Sequence, residues 1–97
     1  MLEGRRFEPD PVKDAENIRK HGISLSAAAD FDWMTVVRYK HRQDQFGRVR
    51  LTVVGTLNGR LWTLVFSYMG SEGAQPISLR PSSKTERNWY NDETPSA

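Results

Sequence analysis

The chain of 97 residues contains no cysteine. That absence excludes disulfide staples, thiolate metal sites and thiol nucleophiles, and gives no sign of an oxidising compartment. Histidine is scarce: His21 and His41 are the only two, and neither stands at a close spacing to an acid. No metal coordination set and no cofactor is therefore expected. No apolar run approaches the roughly 18 residues needed to cross a bilayer. Arg5 and Arg6 are not followed by an apolar stretch, which argues against a secretion signal. The expectation is a cytoplasmic bacterial protein with no membrane partner. Gly-rich phosphate loops, nucleophile elbows, helix–turn–helix signatures, internal repeats and low-complexity tracts are also missing. The length suits a single domain over residues 1–97 with one modest core. Residues 1–6 and 91–97 read as frayed termini.

What is present is positive charge in one place. The net charge is only +2. Residues 1–32 hold five Lys/Arg against seven Asp/Glu, and residues 61–97 hold three against four. Residues 33–60 hold Arg38, Lys40, Arg42, Arg48, Arg50 and Arg60 against Asp44 alone, a surplus of +5. A basic middle third is what a polyanion-binding surface requires. A solvated sheet edge guarded by charges is the other reading.

The local signals alternate between helix and strand. Asp10 can cap a helix that opens with Pro11 and closes with Lys20, His21 and Gly22. Its apolar stripe, Val12, Ala15 and Ile18, is narrow. Ser24 can cap a second short helix over Leu25–Phe31, rich in alanine. Strands are predicted over Met34–Arg42, Arg48–Leu57, Arg60–Tyr68 and Gln75–Arg80, with a turn at Gln43–Gly47 and a loop at Gly70–Ala74. Ser83-Lys84-Thr85-Glu86 is a capping box that opens a helix to about Tyr90.

Asn58-Gly59 between two β-rich runs is a strong hairpin signal, because a type I′ turn needs positive φ at both positions. A two-residue turn there pairs Leu57 with Arg60, Gly55 with Trp62, Val53 with Leu64, Leu51 with Phe66 and Val49 with Tyr68. Side chains alternate faces, so these form the core face, with Trp62 covering the bare backbone of Gly55. Ile77 and Leu79 should join them. The opposite face holds Arg48, Arg50, Thr52, Val54 and Thr56 against Met69, Ser67, Val65, Thr63 and Leu61. Ser78 and Arg80 point the same way. Arginines and hydroxyls thus share one face with no cross-strand acid, which suits bidentate phosphate binding.

The chain resembles the BrnT toxins. The residues that carry the resemblance are Phe7, Glu8, Asp10, Lys13, Asn17, Lys20, His21 and Gly22, then Arg48 and Gly55. Ile77-Ser78-Leu79-Arg80, Lys84, Glu86-Arg87 and Tyr90 complete it, so that it spans about residues 7–90. It implies an α+β, RelE-like fold: N-terminal helices on a mostly antiparallel sheet of about four strands, with a short C-terminal helix. It also implies an endoribonuclease toxin of a type II toxin–antitoxin system. Its partners would be an RNA substrate and a cognate antitoxin, with operator DNA met only through that antitoxin. Pro81, a C-terminal helix with few basic residues, and a loop 69–74 without Arg or Lys depart from the family pattern.

Cleavage of RNA without a metal uses the 2′-OH as nucleophile, so the protein must stabilise the charged transition state and manage protons. Arg80, Arg48, Lys84 and Glu86 are the candidate catalytic residues. Arg50, Lys20, His21, Tyr90 and Ser78 are the candidate RNA-binding residues. Each has a plainer reading. Arg80 can be a surface or antitoxin contact, Glu86 is explained by the capping box, and Tyr90 can be a core aromatic. His21 can serve the helix end, and Lys13, Asn17 and Lys20 can be a solvated face. For the whole chain, the alternative is a non-catalytic module that binds RNA or a protein partner through the same basic face.

Overall fold

The computed structural model describes residues 9–43, 49–68 and 74–94, without the side chain of Arg38. Phe7, Glu8, Arg48, Met69, the turn at 44–47 and the loop at 70–73 lie outside the described residues. In chain order the elements are α1 (Pro11–His21), a 3₁₀ helix (Leu25–Asp30), β1 (Val37–Gln43), β2 (Val49–Leu57), β3 (Arg60–Tyr68), β4 (Ala74–Pro81) and α2 (Lys84–Glu93). The four strands form one antiparallel sheet in the order β1-β2-β3-β4. The fold is α+β, as expected.

The strong local signals hold. Asp10 accepts the Lys13 N–H at 3.1 Å. Gly22, at φ 72°, donates its N–H to the Ile18 carbonyl at 2.8 Å and ends α1. Asn58 and Gly59 both have positive φ, 53° and 77°, and the β2–β3 register matches all five predicted core-face pairs. The core face of the sheet, with Val53, Leu57, Leu64, Phe66, Ala74 and Leu79, packs on Leu25, Ala28 and Phe31. Two tryptophans, Trp33 and Trp62, lie against that cluster.

Four expectations need correction. The second helix is 3₁₀ and not α, and stops at Asp30. Its six residues are too few for a stable α-helix, and Asp14 holds its start by accepting the Ser24 hydroxyl and the Leu25 N–H. β1 begins at Val37 because Asp32–Thr35 closes a turn, with the Thr35 N–H on the Asp32 carbonyl at 3.0 Å. In β4 a register shift against Val65/Phe66 places Pro76 opposite Phe66 and Ala74 opposite Tyr68. Ile77 is thereby displaced from the core cluster, and Ala74 joins it. Finally, α2 continues through Asn91–Glu93, which the sequence places in a frayed tail.

Gly55 also has a different reason to be glycine. A Cβ there would lie 2.6 Å from Val36 Cγ2 and 3.2 Å from Phe31, so those side chains and not Trp62 require it. The Val36 methyl is on a stiff β-branched side chain. Gly55→Ala is expected to cost about 1–3 kcal/mol through overpacking, read as a lower denaturant midpoint. An unchanged midpoint would show that the 3₁₀ helix and its flank can shift freely.

The helix α1 is mounted with its polar side inward. Asn17 is buried, while Val12 and Ile18 are 75% and 47% exposed. The reason is an edge strand. Asn17 Nδ2 donates to the Leu79 carbonyl at 2.8 Å, its Oδ1 accepts the Leu79 N–H at 2.9 Å, and Nδ2 also donates to the Ile23 carbonyl at 3.0 Å. One side-chain amide thus does at Leu79 what a neighbour strand would do along the edge strand β4.

Candidate nucleic-acid interface

The face of the sheet away from the core resolves into three cross-strand rows. The first is Val37, Val54, Thr63 and Arg80; the second is Lys40, Thr52, Val65 and Ser78; the third is Arg42, Arg50, Ser67 and Gln75. Helix α2 lies over the first row, and Val54 and Thr63 are fully buried there. The second and third rows carry cations, hydroxyls and an amide, and no acid. Arg42 and Arg50 stand directly opposite one another. Like charges so placed are destabilising, and they are tolerated more easily where a polyanion compensates them.

Among the described residues, the acid that reaches this face comes from α2. Glu86 Oε1 and Oε2 accept Arg80 Nη1 and Nη2, both at 2.7 Å. Glu86 also accepts the Ser83 N–H at 2.8 Å and the Thr63 hydroxyl at 3.0 Å. The single Thr63 proton is spent on Glu86, so the Ser82 hydroxyl donates to Thr63 across 2.8 Å. The Ser83 side chain accepts the Glu86 N–H at 3.2 Å, which completes the capping box. The side chain of Glu86 is 7% exposed and that of Arg80 is 35% exposed.

This arrangement sets the charge states. The hydrogen bonds from Arg80 dominate and hold the Glu86 carboxyl down to about 2, with smaller help from Ser83 and Thr63 against the opposing effect of burial. Glu86 raises the pKa of Arg80 in return. A carboxyl held so low is a weak proton acceptor at neutral pH; its geometry suits holding the guanidinium fork in place. Two of the five N–H donors of Arg80 are engaged by Glu86, and the fork is half-buried with its orientation fixed.

The remaining candidates fall around this pair. Lys84 is the first residue of α2 and is exposed. Arg50 is exposed in the third row. Ser78, in the second row, lines a groove of about 310 Å³ together with Lys13, Glu16, Asn17, Lys20, His21 and Ile77. Lys20 and His21 are therefore joined to the basic face through Ser78 at the β4 edge. Lys20 also lies 3.6 Å from Glu16, which pairs with Arg19 at 2.6 Å. Tyr90 is buried, and its hydroxyl donates to the Thr35 carbonyl at 2.7 Å, anchoring α2 to the segment before β1. Arg48 lies outside the described residues.

Sequence reasoning counted Lys40 and Arg42 in the basic middle third without placing them on this face, and it gave Tyr39 no role. Their placement depends on a register shift in β1 between Arg38 and Lys40, for which the strand carries no local signal. It also missed that Asn17 is structural. Among the described residues, no group of three or more His, Asp or Glu side chains comes together to hold a metal ion. Among the same residues, no helix is long and apolar enough to cross a membrane.

The site is thus a cationic, acid-poor face of a small antiparallel sheet, with an arginine clamped at one strand. The family model described as the ribonuclease toxin BrnT of type II toxin–antitoxin systems matches residues 10–86, and the chain belongs to that family. It is also similar to the crystal structure of the Brucella abortus ribonuclease toxin BrnT, with 27% identity and a TM-score of 0.64, over 80% of this chain and 96% of that one. No curated protein sequence matches the chain.

Proposed function

We propose that this chain is itself an active endoribonuclease that cleaves RNA without a metal ion, acts in the cytoplasm and is neutralised by a cognate antitoxin. Operator DNA would be met only through that antitoxin. The observation that carries the reading is the Arg80 fork, fixed by two 2.7 Å bonds to Glu86 beside two rows that hold cations and hydroxyls and no acid. The 2′-hydroxyl gives its proton to water as its oxygen attacks the adjacent phosphorus, the bond from phosphorus to the 5′-oxygen breaks, that oxygen takes a proton from water, and the products are a 2′,3′-cyclic phosphate and a 5′-hydroxyl. Charge accumulates on the non-bridging oxygens, where a preoriented guanidinium stabilises it. Arg80 takes that role, and Arg48 is the second candidate for it. Lys84 contributes charge near the leaving oxygen, and Glu86 keeps Arg80 in position. Arg50, Ser78, Lys20 and His21 hold the strand on either side, and Tyr90 supports α2 beneath it.

The test is incubation of the purified protein with RNA in excess chelator. Fragments ending in cyclic phosphate are expected. RNA that is retarded on a gel but remains intact would replace this reading with that of a non-catalytic binding module.

A further inference from the structure

Tyr39 has no part in the set above, yet the sheet is distorted around it. In β1, Arg38 faces Val53 and Lys40 faces Thr52, which leaves Tyr39 as the extra residue of a bulge. Bulges bend a strand and re-aim a side chain. Here the Tyr39 ring turns to α2, where its centroid is 4.7 Å from that of Trp89 at 63°. The Lys40 ammonium lies 5.2 Å from the same ring. Tyr39 and Trp89 are each only half-buried. Arg80 stands on β4, the other edge strand of the sheet. Its guanidinium is held by Glu86 of α2, the same helix that carries Trp89.

Single-stranded nucleic acid needs two things in alternation: a cation for each phosphate and an aromatic face for each unstacked base. Lys40 supplies the first at the Tyr39 ring, and Arg80, Arg42 and Arg50 supply it along the same face of the sheet. An ammonium over the Tyr39 ring is a weakly held occupant that a base can displace toward the backbone. We propose that Tyr39, backed by Trp89, receives an unstacked nucleobase next to the phosphate held by Arg80. This rests on the reading of the chain as an RNA-acting protein. Stacking of this kind tolerates any base and is worth about 5- to 100-fold in affinity per base.

The experiment is a binding cycle on the full chain. A short RNA made uncleavable by 2′-deoxy substitution is compared with versions in which an abasic nucleotide is scanned along the strand. Tyr39→Leu should weaken binding about 5- to 100-fold, and Tyr39→Phe should stay within about twofold. At one position the abasic strand should weaken the wild type similarly and add little to Tyr39→Leu, because the two partners of one contact are non-additive. A merely structural Tyr39 gives the same abasic cost in both proteins, and that result overturns the proposal. Should Tyr39→Leu fail to fold, Trp89→Leu is carried through the same cycle with the same criterion. A wild type that binds no RNA overturns the functional reading as well; one that binds RNA with no abasic-sensitive position overturns only this inference.

Discussion

Arg80→Ala is expected to lower RNA cleavage by roughly 10²- to 10³-fold, the range for losing one preorganised donor group to a developing oxyanion. Expression of the wild type should arrest growth, and this variant should relieve it. It also strands Glu86, which is 7% exposed and loses two charge-assisted bonds. Removing one partner of a buried pair is costly, but Arg80 is 35% exposed and water can enter, so about 2–3 kcal/mol is expected. At this chain length that lowers the melting temperature by roughly 10–20 °C. The two effects separate in the Arg80→Ala/Glu86→Gln double variant, which removes the stranded charge. It should recover most of the stability and none of the cleavage. Cleavage that returned with stability would assign Arg80 to the scaffold alone.

The same pair gives a pH dependence. The Glu86 pKa is depressed in the folded state, from 4.5 to about 2. Its stabilisation is therefore complete above about pH 4.5 and is lost as pH falls toward 2. A denaturation series across that window should be steeper for the wild type than for Glu86→Gln.

Asn17→Ala is expected to have the largest effect on stability. The variant removes three hydrogen bonds and leaves the N–H and carbonyl of Leu79 buried beside an alanine. Unsatisfied buried groups cost about 1–3 kcal/mol each, so a loss of about 3–4 kcal/mol is expected even with some water entry. Thermal unfolding should fall by roughly 15–25 °C, and an uncovered β4 edge should raise self-association in sizing experiments. Asn17→Asp keeps the acceptor for the Leu79 N–H but sets a carboxylate against two carbonyls, so it should not rescue. A loss below about 1 kcal/mol would mean that α1 is held by other contacts.

Much of the fold was legible because its signals are local. Asp10, Pro11 and Gly22 bound α1; Asn58-Gly59 sets a turn whose positive φ values few residue pairs accept; Ser83 and Glu86 cap α2 reciprocally. Within the site, the shared face of Arg50, Ser78 and Arg80 follows from the hairpin register and strand alternation. What was not legible depends on two bulges, because one extra residue flips every later side chain to the other face. One bulge displaces Ile77 from the core; the other turns Tyr39 toward Trp89 and sets Lys40 and Arg42 in line with Arg50. The apolar stripe of α1 was visible as well, but its outward orientation was not. That orientation arises from Asn17 and an edge strand 62 residues away in sequence.

The sequence by itself determined the caps, the hairpin, the central register and the family pattern, since each is a matter of backbone preference over a few adjacent residues. Only the tertiary structure decided the pairing of Glu86 with Arg80, the role of Asn17 and the aim of Tyr39. Asn17 meets Leu79, and Tyr39 meets Trp89, from far apart in the chain, while Glu86 meets Arg80 across the junction of β4 and α2; where such groups are buried, an unmet donor or charge is expensive. The arginine face was foreseen as one without acids; among the described residues, the fold brings Glu86 to it, where it holds Arg80 still.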